Sequence, residues 1–158
     1  QSLIKTIKLS EQNFNHFIDL LNKINTKFKL VVMSDLIRIK HLVRCERLLI
    51  YLLFVEDVPY NFYIYNDTNV FYDGKKSIEL ISSYRTSKID EFMFGFYYSL
   101  TSEIKKNNFE ILLINNISDN NNIIKNIKYN YYGSVYQYYF LYNYATSSYN
   151  SNNCIIIN

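Results

Sequence analysis

The sequence predicts an α+β domain in which strands and helices pack around one core. Its 158 residues suit one domain, residues 1–158, with a substantial core. Apolar residues make up 49% and charged residues 20%, which is typical of globular rather than disordered chains. Apolar runs of strand length alternate with apolar stripes at helical spacing, and neither an internal repeat nor a linker divides them. These observations indicate the fold class.

The first third of the chain predicts one strand followed by two helices. Apolar residues alternate from Leu3 to Leu9, as they do in a half-buried strand. Ser10 is the candidate cap of the first helix, and Ser34–Asp35 is the candidate cap of the second. The expected apolar stripes are Phe14, Phe17, Ile18 and Leu21 in the first helix and Leu36, Ile39, Leu42 and Val43 in the second.

The middle third predicts three strands and then the longest helix. Strand composition marks Leu48–Val55, Asn61–Tyr65 and Ser77–Tyr84. Turns are expected at Glu56–Pro59 and at Asp73–Gly74. The long helix is expected to begin at Ser87, to end at Asn107–Asn108 and to carry the apolar stripe Ile89, Phe92, Met93, Phe96 and Leu100.

The last third predicts a strand, a short helix and a strand. Phe109–Ile114 is a continuous apolar run, typical of a strand buried on both faces. Ser118–Asp119 can cap the helix, Gly133 breaks the chain, and Val135–Tyr144 has the composition of an aromatic strand. Cys154–Ile157 is expected to form a last strand. The core shared with the long helix is expected to contain Phe92, Phe96, Phe109, Ile111 and Ile123.

Two motifs in the last third are distinctive. In Phe109–Tyr129 a buried strand leads through the acidic-Asn turn Asp119–Asn120 into a helix, and Gln137–Tyr144 follows as an aromatic strand. Both motifs resemble segments in the C-terminal half of the eukaryotic N-myristoyltransferases. Phe109–Tyr129 aligns without a gap, and Gln137–Tyr144 aligns with one inserted residue. Leu20–Leu30 is similar to that half as well. Those enzymes consist of two tandem GNAT-type acyltransferase folds. The resemblance therefore implies a GNAT-like fold, with a mixed, mostly antiparallel sheet flanked by helices, for nearly the whole chain.

The resemblance also implies where a cofactor would bind. GNAT acyltransferases hold the coenzyme A pyrophosphate with backbone N–H groups of a glycine-bearing loop before the long helix, where close approach and the helix N-terminus favour the anion. The corresponding loop here, Tyr84–Lys88, has no glycine. Arg85 and Lys88 are candidates to attract an anion, although a solvated basic loop is the simpler interpretation. In N-myristoyltransferases the acyl-CoA sits in the N-terminal half, so we expect no cofactor in this chain.

The C-terminal half of these enzymes supplies much of the peptide groove and a base, the chain's own α-carboxylate. If Asn158 is the natural end, its carboxylate is the candidate catalytic group, and a frayed terminus is the alternative. Several departures predict a catalytically degenerate domain. The family's strand-end Asn corresponds to Leu113, the Asp that follows it to Asn116, and its acidic glycine loop to Asn130–Gly133. In that loop a tyrosine cannot replace a carboxylate in charge-assisted recognition. The glycine that begins the last strand in the family corresponds to Cys154 or its neighbour here.

The predicted function is therefore protein–protein interaction or assembly with a partner domain. One alternative is the peptide-binding half of an active glycylpeptide N-myristoyltransferase, whose acyl-CoA half lies upstream or on another chain. Another is a small-molecule acetyltransferase. Because the two halves of N-myristoyltransferases pack with continuous sheets, the resemblance implies a second GNAT-like domain or a homodimer, and the uncharged strand Gln137–Tyr144 is a poorly defended edge. The predicted partner or peptide surface consists of Tyr84, Tyr132, Tyr138, Tyr142 and Asn143.

Other classes of function find little support. A net charge of +3 without a basic cluster argues against nucleic acid, and the longest apolar run, Leu48–Val55, is too short to cross a bilayer. His16 and His41 share no ligand spacing with Cys45 or Cys154, so no metal site is expected. Both cysteines are expected to be buried free thiols in a reducing, cytoplasmic compartment. The abundance of Asn, Ile, Lys and Tyr is typical of AT-rich genomes, including those of large DNA viruses.

Overall fold

The computed structural model describes residues 3–24, 30–33, 35–115, 117–127 and 154–157. Alternating and continuous apolar runs form the strands, and stripes at helical spacing form the helices, in the order of an α+β domain. The elements are β1 (Ile4–Lys8), α1 (Asn15–Ile24), β2 (Leu30–Met33), α2 (Leu36–Arg44), β3 (Leu48–Val55), β4 (Val58–Tyr72), β5 (Lys75–Tyr84), α3 (Ile89–Asn107), β6 (Ile111–Ile114), α4 (Asn120–Asn126) and β7 (Cys154–Ile157).

Five of the strands form a sheet in the order β1-β3-β4-β5-β6. The first three neighbouring pairs are antiparallel, whereas β5 and β6 are parallel. The strands β2 and β7 form a separate parallel pair, with Leu30 opposite Cys154. The predicted fold class, a mixed and mostly antiparallel sheet flanked by helices, is confirmed.

Helices cover both faces of the large sheet. Successive side chains of a strand point to opposite faces, and β3 is apolar at every position, so it contributes to two cores. On one face Ile50 and Leu52 pack with α1 and α2. On the other face Tyr51 and Leu53 pack with α3 and α4. The sheet therefore forms the middle layer of three, and β3 contributes side chains to both outer interfaces.

Two tight turns set the register of the central strands. Glu56 and Asp57 both have positive φ, 50° and 66°, between β3 and β4. Asp73 and Gly74 have φ of 51° and 76° between β4 and β5. Paired positive φ values are those of the two-residue turns whose twist matches antiparallel strands. The predicted turn at Asp73–Gly74 is confirmed, whereas the turn predicted at Glu56–Pro59 is shorter, because Val58 and Pro59 already belong to β4. Pro59 lies beside a register shift at Phe54, where a missing N–H is tolerated.

The long helix α3 begins and ends as local signals predict, with a shift at its start. The first helical residue is Ile89, and the backbone N–H of Lys88 donates to Glu91 Oε1 at 3.2 Å. Asn108 ends the helix in the left-handed conformation, with its N–H donating to the Ile104 carbonyl. The predicted cap Ser87 is therefore wrong by one residue. Its stripe is confirmed, because Phe92, Met93 and Phe96 are buried and Ile89 and Leu100 pack against the same cluster.

Other predictions of the first third are corrected by the structure. Ser10 does not cap α1, because that helix begins at Asn15. The backbone N–H of Ser10 instead donates to Asn13 Oδ1 at 2.6 Å. The strand β2 was not predicted, because a four-residue run is a weak local signal and its pairing partner β7 is distant in sequence. Asp35 is confirmed as the cap of α2, since its Oδ1 accepts the N–H of Arg38 at 2.9 Å.

The predicted core of the second layer is confirmed for four of its five residues: Phe92, Phe96, Phe109 and Ile123. Ile111 is the exception, since it is only half-buried, and Leu112 and Ile114 face the cluster in its place. The strand β6 is half-buried throughout rather than buried on both faces. The predicted strand Val135–Tyr144 lies outside the described residues.

Candidate functional site

The candidate site lies where the parallel strands β5 and β6 separate. They pair from Ser77 opposite Ile111 to Leu80 opposite Ile114. Beyond this point the chain turns away through Ser118, whose φ is 56°, and enters α4. The carboxyl end of β5 therefore continues toward the loop at 85–88 without β6, and it stays paired with β4 through Tyr84. A gap between diverging parallel strands is a common place for a ligand in sheets of this kind.

In this protein the chain itself occupies the gap. Asn120, which is fully buried, extends its side chain between the two strands. Its Nδ2 donates to the Asn115 carbonyl at 2.8 Å and lies 3.4 and 3.3 Å from the carbonyls of Leu80 and Ile81. Its Oδ1 accepts a hydrogen bond from the Ser83 hydroxyl. One asparagine side chain thus contacts backbone carbonyls on both sides of the gap and the Ser83 hydroxyl.

Two further contacts close the same gap. The hydroxyls of Ser82 and Ser118 lie 3.0 Å apart, and the backbone N–H of Asp119 donates to the Ser83 carbonyl at 3.2 Å. Ser82, Ser83 and Ser118 are all buried. Buried polar groups cost stability unless they are paired, so these contacts hold the α4 end of the chain against β5.

The loop at 85–88 comes next, and internal acceptors occupy its backbone donors. The N–H of Arg85 donates to Asp119 Oδ2 at 2.7 Å. The N–H groups of Thr86 and Ser87 both donate to Asn61 Oδ1, at 3.0 and 3.3 Å. Lys88 N–H donates to Glu91, as described above. Four consecutive amides before the N-terminus of α3 therefore point at side chains of the same protein.

Burial and charge act against each other at Asp119. Burial raises the pKa of its carboxyl above the ordinary value, and the hydrogen bond and positive charge of Arg85 counteract part of this rise. The Arg85 guanidinium is turned back onto its own loop, with Nη1 donating to the Ser87 carbonyl at 2.6 Å. Among the described residues its buried Nε has no hydrogen-bond partner. The Asp119 carboxyl group thus lies beside Arg85, the residue that the sequence makes a candidate to attract an anion.

The predicted site residues fall into two groups. Tyr84, predicted to lie on a partner or peptide surface, is buried at the end of β5, and its ring stacks on Phe62 at 5.7 Å. This placement corrects the predicted surface position, because a ring that fills the core offers no area to a partner. The other predicted residues lie outside the described ranges, and their roles stay predictions: Tyr132, Tyr138, Tyr142, Asn143 and Asn158.

A second group of reactive side chains lies on α2. Cys45 is exposed, which corrects the prediction of a buried thiol, and its Sγ lies 3.7 Å from His41 Nε2. Arg44 Nη2 lies 2.7 Å from the other ring nitrogen of His41. A shallow surface depression of about 600 Å³ adjoins this group. Within the described residues no three His, Cys, Asp or Glu side chains are grouped to hold a metal ion, and no helix is long and apolar enough to cross a membrane.

Sequence reasoning missed the residues that organise the site. Asn120 appeared only as part of a turn motif, and Asn61 only as the start of a strand. Asn61 accepts from amides 25 and 26 positions away, and Asn120 bonds across 39 and 40 positions to β5. An asparagine at a strand start has no local signal for such a partner. The lack of glycine at 84–88 was the one indication in the sequence that this loop differs from the glycine-bearing pyrophosphate loop of GNAT acyltransferases.

Comparisons with known proteins identify the fold. No family model and no curated protein sequence matches this chain, whereas solved structures do. A ribosomal-protein-alanine N-acetyltransferase from Brucella melitensis biovar Abortus 2308 is 16% identical, with a TM-score of 0.66 over 87% of this chain and 99% of that one. An aminoglycoside acetyltransferase from an uncultured soil metagenomic sample is 12% identical, with a TM-score of 0.62 over 88% and 97%.

A further aminoglycoside N-acetyltransferase, solved in complex with CoA, is 10% identical and has a TM-score of 0.59 over 87% of this chain and 96% of that one. Identities this low carry information on fold and not on activity. All three matches cover at least 87% of this chain and at least 96% of the matched one, so the likeness extends over the whole fold. The chain therefore has the GNAT acyltransferase fold.

Proposed function

We propose that this chain is a GNAT-fold domain, of the kind that forms the C-terminal half of N-myristoyltransferases, which has no acyl-CoA site before α3 and works through protein contacts. A location in the cytoplasm, as the sequence suggests, belongs to the proposal. The single observation that carries it is the internal use of the loop amides. Four consecutive N–H groups, from Arg85 to Lys88, have side-chain acceptors in the same chain.

The reason is a competition for donors. A pyrophosphate bound before a helix needs free backbone N–H groups, and close approach of the backbone favours glycine. A phosphate at 85–88 would have to displace the carboxylate of Asp119 and the amide of Asn61. Asn61 is fully buried, so its oxygen would lose both donors without gaining water. An unsatisfied buried group of this type costs about 1–3 kcal/mol, and the negative charge of Asp119 adds repulsion.

The gap between β5 and β6 supports the same conclusion. An extended ligand enters between strands by bonding to backbone groups that have no partner. Here the side chain of Asn120 fills the space beside the carbonyls of Leu80 and Ile81. A ligand would therefore need to expel a buried, fully bonded side chain. The candidate site is filled by the protein, and the fit to acyl-CoA is poor.

The alternative function is acyl transfer. The fold shared with N-acetyltransferases favours it, and so does the resemblance to N-myristoyltransferases, in which the C-terminal half binds the peptide. In that case the chain would be a small-molecule acetyltransferase or the peptide-binding half of a two-half enzyme. Neither requires the loop at 85–88 to be free if the acyl-CoA is held by another domain. Activity measurements separate these possibilities from the proposal.

The proposal is tested by calorimetric titration of the whole chain with acetyl-CoA and with myristoyl-CoA. We expect no binding tighter than about 1 mM. Micromolar binding that Arg85→Ala or Lys88→Ala weakens would contradict the proposal. Assays with acetyl-CoA and an aminoglycoside, and with myristoyl-CoA and a peptide that begins with glycine, should give no turnover above a no-protein control. Turnover in either assay would favour the corresponding alternative.

Hydrogen exchange tests the structural basis separately. The amides of Thr86 and Ser87 should exchange slowly, because their acceptor is buried. Asn61→Ala should accelerate their exchange, whereas Asn126→Ala, the same change at an exposed position of α4, should not. Fast exchange of both amides in the unaltered chain would mean that the donors are available to a ligand.

A further inference from the structure

The outer face of α3 is unusually aromatic for a surface helix. Phe94, Tyr97 and Tyr98 are 52%, 49% and 48% exposed, and the rings of Phe94 and Tyr98 lie 6.4 Å apart. Residues three and four positions apart share a helix face, so the three rings form one patch. The opposite face packs into the core through Phe92 and Phe96. The helix α3 therefore has two apolar faces, one buried in the core and one, the patch, exposed.

Charged residues border the patch with a particular symmetry. Asp90 lies at one end of the face and Lys105 at the other, and both are exposed. Asp90, Phe94, Tyr97, Tyr98, Thr101 and Lys105 follow one another at intervals of four, three, one, three and four positions. The spacing is the same when read from either end, with its midpoint between Tyr97 and Tyr98, so that Asp90 corresponds to Lys105 and Phe94 to Thr101. At about 100° per residue all six side chains lie on one side of the helix.

A face with this symmetry is complementary to itself. If two such helices cross antiparallel at the midpoint, Asp90 of each lies opposite Lys105 of the other, and the tyrosines meet at the centre. A two-fold interface requires that the same patch serve on both subunits, with opposite charges at its two ends. A parallel arrangement would instead place like charges together. The pattern of charge thus selects both the partner and the direction.

We propose that the α3 face, defined by Asp90, Phe94, Tyr97, Tyr98, Thr101 and Lys105, is a homodimer interface in which the α3 helices of two copies pack antiparallel. This inference deepens the proposed role in protein contacts, but its test does not involve acyl-CoA, so the two can fail separately. Exposed aromatic rings at the centre and charges at the rim are the usual composition of an interface. None of these residues belongs to the strand that the sequence predicts at Gln137–Tyr144.

The extent of the face limits its affinity. From Asp90 to Lys105 a helix rises about 22 Å, and specific stable interfaces bury about 1,200–2,000 Å² in total. One helix face on each side reaches only the lower end of this range. The dimer is therefore weak, with a dissociation constant on the order of 10–100 μM. The opposite charges at its rim contribute a measurable part of the binding free energy.

Charge reversal tests the proposal by sedimentation of the whole chain. Asp90→Lys places two lysines against each other at both ends of the interface, and Lys105→Glu places two acids there. Each single variant should associate about tenfold more weakly than the unaltered chain. An equimolar mixture of the two variants, with one fluorescently labelled, should associate about as well as the unaltered chain, because both ends of the heterodimer then carry opposite charges.

Matched controls carry the same charge changes on other helices. Asp19→Lys on α1 and Lys40→Glu on α2 are both at exposed positions and should leave association unchanged. Tyr98→Ala should weaken association without a change in the folded state. The mixture also separates the proposal from a folding defect, because a misfolded variant cannot be restored by a second variant.

Three results would overturn the inference. The unaltered chain could remain monomeric up to about 200 μM, above the range in which such an interface is populated. The single reversals could associate as well as the unaltered chain, which would place the dimer contact elsewhere, for instance on the strand edge. The mixture could associate no better than either single variant, which would exclude antiparallel pairing of Asp90 with Lys105.

Discussion

Replacement of Gly95 by alanine tests how closely α3 lies against the sheet. Gly95 is buried in the middle of the helix, and an added Cβ would meet the Tyr63 side chain at its hydroxyl, at ring Cζ at 2.6 Å and at Cε2 at 2.8 Å. Carbon atoms in contact lie at about 3.5–4.0 Å, so the ring must move by about 1 Å. The ring is not free to do so. Tyr63 is fully buried, stacks on Phe92 and donates to the Phe92 carbonyl at 2.7 Å.

Two opposing effects decide the size of the change. An added methyl group in a filled core costs about 1–3 kcal/mol, and a displaced Tyr63 hydroxyl would forfeit a further 0.5–1.5 kcal/mol or so. Alanine is favoured over glycine within a helix by about 0.8–1 kcal/mol. The steric cost exceeds this gain, so we expect Gly95→Ala to lower the free energy of unfolding by about 2 kcal/mol. For a chain of this length that corresponds to a fall in Tm of about 4–8 °C.

Urea unfolding followed by circular dichroism measures this change, and a second background makes the test specific. Tyr63→Leu removes the ring atoms that a Cβ at position 95 would meet. In that background Gly95→Ala should be neutral or stabilising, because the methyl group enters space and the helix preference remains. Asn22→Ala, at an exposed position of α1, serves as the control for helix preference. An equal cost of Gly95→Ala in both backgrounds would refute the close contact between helix and sheet.

Three further predictions concern buried groups. Phe96→Ala should cost about 3–5 kcal/mol in chemical unfolding, and a cost below about 1 kcal/mol would place this ring outside a filled core. Lys8→Met should cost about 3 kcal/mol, because it leaves the buried Glu103 carboxylate, 2.8 Å from Lys8 Nζ, without its ion pair. Adding Glu103→Gln should recover most of that loss, and failure to recover would show that the lysine acts through packing alone. Asp119→Asn should change the pH dependence. The pKa of Asp119 is raised in the folded state, so above the ordinary carboxyl pKa the folded state binds more protons than the unfolded state does. The stability of the unaltered chain relative to the variant should therefore fall as pH rises from about 3 to 7. A constant or rising difference, measured by urea unfolding at several pH values, would contradict the assignment.

Local signals in the sequence determined most of the elements. The stripe of α3 and the Asp73–Gly74 turn were predicted at their observed places, because each depends on residues within a few positions of one another. The strand β3 gave no alternation, since every position is apolar and both faces are covered. The predicted caps Ser10 and Ser87 were wrong, because α1 begins at Asn15 and α3 begins at Ile89. The predicted burial of Ile111 and Cys45 and the predicted exposure of Tyr84 were also wrong.

The state of the candidate site was decided by the tertiary structure alone. The sequence showed that the loop at 84–88 has no glycine, which indicates that a phosphate fits poorly, but it did not show what takes the phosphate's place. That depends on Asn61, Asp119 and Asn120, which meet only when β4, β5 and α4 come together. The pairing of β2 with β7 and the burial of Tyr84 have the same origin. A polar side chain carries no local sign of an acceptor or donor 25 or 40 positions away, since the free energy of such a pair exists only after the core has excluded water.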